Sequence, residues 1–156
     1  LALPDIERSA AETYRGSSQS AVADDGVTAA EAYEPLLADG LIWVAEADGA
    51  PVGFAACEAF DDALHLWELA VRRECQGRGF GRALVAACIA EARIRDLPAV
   101  TLTTFRDIAW NAPFYAGSGF AEVPQGALNA RLAGDLDMEA RRGLDVANRC
   151  AMGLTL

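Results

Sequence analysis

The run Arg72-Arg73-Glu74-Cys75-Gln76-Gly77-Arg78-Gly79-Phe80-Gly81-Arg82 is where residue types and spacing most clearly permit chemistry. Glycines at the alternate positions 77, 79 and 81 leave backbone N–H groups open to close approach. Four Arg against one Glu make the run positive inside a chain of net charge -10. A helix starting at the glycines adds its unpaired N–H groups and the positive end of its dipole. Such a junction can hold a diphosphate; the alternative is a glycine-rich turn without a ligand. Other phosphate-loop patterns fit poorly. The dinucleotide fingerprint requires Gly where Arg82 stands, which argues against a dinucleotide-binding oxidoreductase. A kinase loop or a Walker A loop requires Lys, and all 13 basic residues are Arg.

A second candidate is Glu68, a charge inside the apolar stretch Leu66-Trp67-Glu68-Leu69-Ala70-Val71. A carboxylate there has a chemical task or an Arg partner. On a regular strand Glu68 shares a side with Ala70, while His65, the only His, points the other way. A β-bulge near residues 68–70 would change that parity.

These residues need elements to position them. Ile6 to Arg15 reads as a helix, 16–26 as loop, and Thr28 to Leu37 as a second helix capped by Thr28. Strands follow over Leu41–Ala47 and Pro51–Phe60, separated by the hairpin signal Asp48-Gly49. His65 to Val71 is a fourth strand, counting a short or missing one near the N-terminus. Gly79 to Arg95 is an amphipathic helix with Leu84, Val85, Cys88, Ile89 and Ala92 on one face. Next come a strand over Ala99–Thr104, a short helix over Ala109–Gly117 and a strand over Phe120–Val123. A loop over Pro124–Gly134, a helix over Asp135–Arg142 and a strand over Arg149–Leu156 complete the chain. The length of 156 residues and the absence of a linker predict one domain, 1–156, of α/β class with a mixed sheet.

Composition narrows the function. A chain this acidic is poorly suited to nucleic acid and would weakly attract cationic amines. The apolar runs are too short to span a bilayer. Cys57, Cys75, Cys88 and Cys150 form no C-x-x-C pair, so no structural zinc site is expected and no other metal is implied. The scattered thiols suggest a reducing, cytoplasmic setting.

Gln76-x-x-Gly79-x-Gly81 resembles the coenzyme A loop of the GNAT family of N-acetyltransferases, whose pattern is Q/R-x-x-G-x-G/A. Further along, Phe114-Tyr115-Ala116-Gly117-Ser118-Gly119-Phe120 is similar to that family's F/L-Y-x-x-x-G-F segment. The resemblance spans residues 41–123. It implies a GNAT-like mixed, twisted sheet flanked by helices, with two central parallel strands, His65–Val71 and Ala99–Thr104, splayed apart around pantetheine. It implies acetyl-CoA as co-substrate, held by the backbone of Leu69, Ala70 and Val71, by the N–H groups of Gln76, Gly77, Arg78, Gly79, Phe80 and Gly81, and by Arg82. Arg73 and Arg78 would reach the ribose phosphate. An Asn often found seven residues before the tyrosine is here Ile108, and Asn111 is the substitute.

The implied reaction is direct acetyl transfer to a primary amine of a small molecule or peptide. A base must take the amine proton and an acid can protonate the departing thiolate. The resemblance assigns Tyr115 as the acid. For the base, Glu68 is preferred, acting directly or through water, with His65 the competitor. Acceptor-lining candidates are Tyr14, Tyr33, Trp43, Phe60 and Trp67, for each of which plain packing is the stronger alternative, and Phe105, for which it is an equal one. A homodimer is common among similar proteins. The alternative function is a non-catalytic acyl-CoA-binding or sensor module of the same fold.

Overall fold

The computed structural model describes residues 2–156; Leu1, the first residue of the expected domain, lies outside the described residues. The strands are β1 (Ile42–Ala47), β2 (Ala50–Phe60), β3 (Ala63–Val71), β4 (Ala99–Phe105), β5 (Ala121–Glu122) and β6 (Arg149–Thr155). The helices are α1 (Leu3–Ala11), α2 (Glu34–Ala38), α3 (Phe80–Ile94), α4 (Ala112–Ala116) and α5 (Ala130–Arg141). The strands form one mixed sheet in the order β1-β2-β3-β4-β6-β5. No strand precedes β1 among the described residues, so His65–Val71 belongs to the third strand rather than a fourth.

The sheet forks at its centre. β3 and β4 run parallel but pair only at Leu64 with Val100, His65 with Thr101 and Leu66 with Leu102. Beyond that rung β3 continues to Val71 and β4 to Phe105 without pairing to each other. The splayed strands expected from the family resemblance are therefore present.

β3 also carries a bulge. Glu68 opposes Ala56 and Leu66 opposes Cys57 on β2, which leaves Trp67 as the extra residue. Leu64 and Leu66 before it belong to the core cluster around α3, and Leu69 and Val71 after it pack against that cluster. Ala70 falls in the second cluster, with Leu3 and Ile6 of α1. The extra residue returns Glu68 and Ala70 to the face occupied by His65. The expectation that His65 and Glu68 point to opposite faces is thus corrected, and the bulge lies at Trp67 rather than at 68–70.

Two cores sandwich the sheet. On one face, Leu84, Val85, Cys88 and Ala92 of α3 are buried against Ala55, Cys57, Leu102 and Met152, with Ile89 partly buried beside them. On the other face, Ile6 meets Tyr33, Phe54 and Ala56. All four cysteines are free and buried, and the sulfurs of Cys57 and Cys88 lie 3.5 Å apart.

Several boundaries differ from the sequence reading, each for a local reason. α1 gives way to a 3-10 turn at Glu12–Tyr14, and another such turn, Ser20–Asp24, interrupts the expected loop. The helix expected over 28–37 is a 3-10 turn, Ala30–Tyr33, followed by α2. Pro35 explains the break, since its ring opposes the carbonyl four residues back and it has no N–H to give. Thr28 caps nothing; its N–H and hydroxyl donate to the Glu7 carboxylate. α4 starts at Ala112, later than expected, because Pro113 is tolerated only in a first turn. α5 begins five residues ahead of Asp135, capped by Asn129, whose side chain accepts from Leu132 N at 2.9 Å. Among the described residues, no helix is long and apolar enough to cross a membrane.

Candidate active site

The fork opens into a cavity of about 970 Å³ lined by β3, β4, α1, α4 and the loop before α3. Its first wall is backbone. Gly77 (φ +74°) and Gly79 (φ +91°) take left-handed conformations, and a Cβ added at either would meet nothing within 4 Å. Gly79 caps α3. The N–H groups of residues 77–82 donate to no acceptor among the described residues, and of these residues all but Arg78 line the cavity. Gly81 serves packing instead: its added Cβ would lie 3.3 Å from the Phe114 ring, which only glycine lets α4 approach.

Gln76 differs from its expected role. Its N–H donates to Arg73 O at 3.3 Å, and its side-chain amide donates to Val71 O at 3.0 Å. It fastens the loop to the end of β3, and the open donors begin at Gly77. Arg82 lines the cavity with Gly77, Gly79, Phe80 and Gly81. Arg73 and Arg78 lie outside the lining, on the exposed surface; Arg78 rests over the Phe80 ring at 5.4 Å.

The second wall is the open edge of β3. Arg72 N–H donates to Val52 O on β2 at 2.8 Å. Backbone direction alternates along a strand, so Ala70 also turns toward β2 while Leu69 and Val71 turn toward the fork. Leu69 and Val71 line the cavity; Ala70 does not. The expectation that all three backbones face the ligand is corrected for Ala70, because its amide plane belongs to the β2 ladder and its methyl to the α1 core.

The two side chains expected to move protons both meet these walls. Glu68 is half-buried and lines the cavity. Burial and the negative charge of Glu7 push its carboxyl up to about 8, against weaker opposition from the Leu69 N–H and Arg149. Tyr115 lines the same cavity, packed edge-on between Phe114 and Phe120 at 5.1 and 5.9 Å. Burial, then the nearby Glu68, raises its phenol above the usual tyrosine range. His65 is fully buried away from the cavity and, by burial and the neighbouring Arg131, held down to about 3.

Asn111 is buried at the head of α4 and lines the cavity. Its side chain is already engaged: Nδ2 donates to the Tyr14 hydroxyl at 2.9 Å and Oδ1 accepts from Thr104 Oγ1 at 2.7 Å. It ties α4 to β4 and to the turn after α1.

Of the acceptor candidates, Tyr14, Trp67 and Phe105 line the cavity. Tyr33 packs on Phe54 and donates to Glu7, Trp43 packs on the α3 core, and Phe60 lies under Arg131 at 4.4 Å. Sequence reasoning missed Glu7, Thr28, Trp110, Arg142 and Arg149 in the lining. Glu7 is held by Thr28 N–H at 3.0 Å and the Tyr33 hydroxyl at 3.0 Å, without an Arg partner. Arg149 is bound by both oxygens of Glu139, at 2.8 and 2.7 Å, and lies over Phe105 at 4.5 Å. Only the cap-like Thr28 had a visible sequence signal, and it pointed elsewhere.

Comparison with known proteins agrees with this geometry. The model of the acetyltransferase (GNAT) family matches residues 3–120. Rv2747 from Mycobacterium tuberculosis, solved in complex with CoA, is 26% identical over 74% of this chain and 75% of that one, with a TM-score of 0.55. The N-acetylglutamate synthase from Neisseria gonorrhoeae, complexed with coenzyme A and N-acetyl-glutamate, is 19% identical over 99% of this chain, with a TM-score of 0.71. This chain spans only 33% of that protein, and the likeness shows the fold alone. The same holds for PaiA N-acetyltransferase from Thermoplasma acidophilum, 17% identical over 97% of this chain and 89% of that one, with a TM-score of 0.63. A forked sheet, a glycine donor loop and a family match over most of its length together show that the chain belongs to the acetyltransferase (GNAT) family, as an acetyl-CoA-dependent N-acetyltransferase.

Proposed function

We propose that the protein transfers the acetyl group directly to a primary amine of a small molecule or peptide, with Glu68 as general base and Tyr115 as general acid. The observation that carries this reading is that both groups line the one cavity that also holds the glycine loop and the fork.

The chain's own features suit acetyl-CoA. Open N–H groups at 77–82, clear space beside Gly77 and Gly79, and the unpaired edge at Leu69 and Val71 form a continuous track. Bound there, acetyl-CoA supplies a thioester carbonyl open to attack. The 77–82 N–H groups and Arg82 hold its pyrophosphate, and Arg73 and Arg78 reach its outer phosphate from the surface. Leu69 and Val71 align the arm as an added strand would. An N–H on this edge donates to the carbonyl oxygen as negative charge develops there.

Glu68 removes a proton from the attacking amine as the new C–N bond forms. Its raised proton affinity brings it closer to an amine of pKa about 10 than an ordinary carboxylate would be. Tyr115, whose phenol keeps its proton at neutral pH, gives it to the sulfur as the C–S bond breaks. The proton on Glu68 then returns to solvent and Tyr115 is reprotonated.

The test is steady-state turnover with acetyl-CoA across a panel of amines, comparing wild type with Glu68→Gln and Tyr115→Phe. Each change is expected to lower kcat about 100-fold, the usual contribution of such groups. If neither slows turnover by more than about threefold, the assigned roles are wrong.

A further inference from the structure

The fork of the sheet is fastened by a buried polar cluster that the chemistry above does not use. His65 on β3 and Thr101 on β4 are partners on the middle of the three parallel rungs. Their side chains also meet: His65 Nδ1 lies 2.9 Å from Thr101 Oγ1. Arg131 of α5 reaches both, with Nη1 3.0 Å from His65 Nδ1 and Nη2 3.3 Å from Thr101 Oγ1. A guanidinium only donates, so Nδ1 is the acceptor and the ring proton sits on Nε2. That nitrogen faces Asp135 Oδ2 at 4.0 Å. Asp135 and Asp62 offset the Arg131 charge, at 3.7 and 3.4 Å.

The cluster bears directly on the bulge. The His65 ring packs edge-on against Trp67 with centroids 4.4 Å apart, and Trp67 is the extra residue that turns Glu68 into the cavity. The Trp67 indole is held from its other side by donation to Glu58 at 2.8 Å. Past Trp67, β3 has no partner on its β4 side.

We propose that Arg131, His65 and Thr101 form a pin at the fork that positions the segment Trp67–Val71, making them positioning residues for acetyl transfer. The catalytic part of this inference rests on the reading of Glu68 as base; the mechanical part does not. The pin sits on the middle rung, one residue before the last pair Leu66–Leu102, so a small rotation of β3 there is carried along the unpaired stretch to Glu68 and to the Leu69 and Val71 edge. The glycine loop lies at the far end, fastened separately by Gln76 and by Ser9, which accepts from Arg73 N–H at 3.1 Å.

The test compares Thr101→Val, which keeps the β-branched shape and removes the hydroxyl, with Arg131→Leu, so that misfolding of one leaves the other informative. Backbone amide exchange is measured across 67–71 in the free protein, alongside kcat and the acetyl-CoA Kd. Within that stretch, exchange at Glu68 and Ala70, whose amides turn to β2, is expected to speed up about tenfold or more. A misplaced base is expected to lower kcat about tenfold, while the acetyl-CoA Kd moves less than about twofold. Thr101→Ser, which restores the oxygen, is expected to return both exchange and kcat toward wild type. Unchanged exchange at 67–71 in the folded variants would overturn the proposal whatever the activity. Faster exchange together with a Glu68→Gln variant that turns over at the wild-type rate would leave the pin standing and remove Glu68 from the chemistry.

Discussion

The two ends of the cavity are built on opposite plans. The end proposed to take the acetyl donor is made of backbone from two short stretches, Leu69 with Val71 and Gly77 with Gly79 to Arg82, with left-handed glycines at 77 and 79. The end proposed to take the acceptor is made of side chains from α1, the turn after it, β3, β4, β6 and the segment after α5: Glu7, Tyr14, Glu68, Phe105, Arg149 and Arg142. Backbone donors are common to any sequence that takes the same turn, so the donor end suits a fixed ligand. Side chains gathered from distant elements can change one at a time, so the acceptor end suits a ligand that differs between relatives.

The most severe way to break this comparison is at Gly79. Gly79→Glu places a side chain at φ +91° and a carboxylate in the anion track. Acetyl-CoA affinity measured by calorimetry should fall by at least about 100-fold, with the fold intact by circular dichroism. At the acceptor end, Glu68→Gln should abolish the rise of kcat/KM through pH about 8 while leaving acetyl-CoA affinity in place. The same variant sharpens the contrast in stability. Glu68 binds its proton more tightly folded than unfolded, so its favourable contribution is complete below the ordinary carboxylate pKa and is lost as pH rises through about 8. Thermal unfolding should therefore show Glu68→Gln gaining on wild type at pH 9 and gaining little at pH 5. Asn111→Ala lies between the two ends. It strands the Tyr14 and Thr104 hydroxyls and should cost about 1–3 kcal/mol in denaturant unfolding. The smallest effect is expected from Glu7→Gln. Removing that negative charge should move the kcat/KM limb down by less than about one pH unit, with acetyl-CoA affinity unchanged.

The same division explains what the sequence allowed. The helix after the glycine loop, the hairpin at Asp48-Gly49 and the two strands of the fork follow from periodicity and turn residues. The donor loop was readable because its parts are neighbours in the chain. The bulge was not placed, since nothing in Leu66-Trp67-Glu68 singles out Trp67; the register with β2 decides it. Glu7 was invisible because its role depends on Thr28 and Tyr33 folding onto it. Arg149 needed Glu139 and Thr103 to be brought beside it. The start of α5 is a different kind of miss: Asn129 is a local cap signal, overshadowed by Gly134 inside the helix.

The fork has one more consequence. Where β3 and β4 part, the sheet carries an edge directed inward, and a molecule bound along it as proposed would act as a seventh strand supplied from outside. Ligand at about 100 times its Kd adds about 2.7 kcal/mol to the folded state, a sizeable share of a small protein's whole stability. Resistance to heat and proteolysis should then rise and fall with the concentration of acetyl donor.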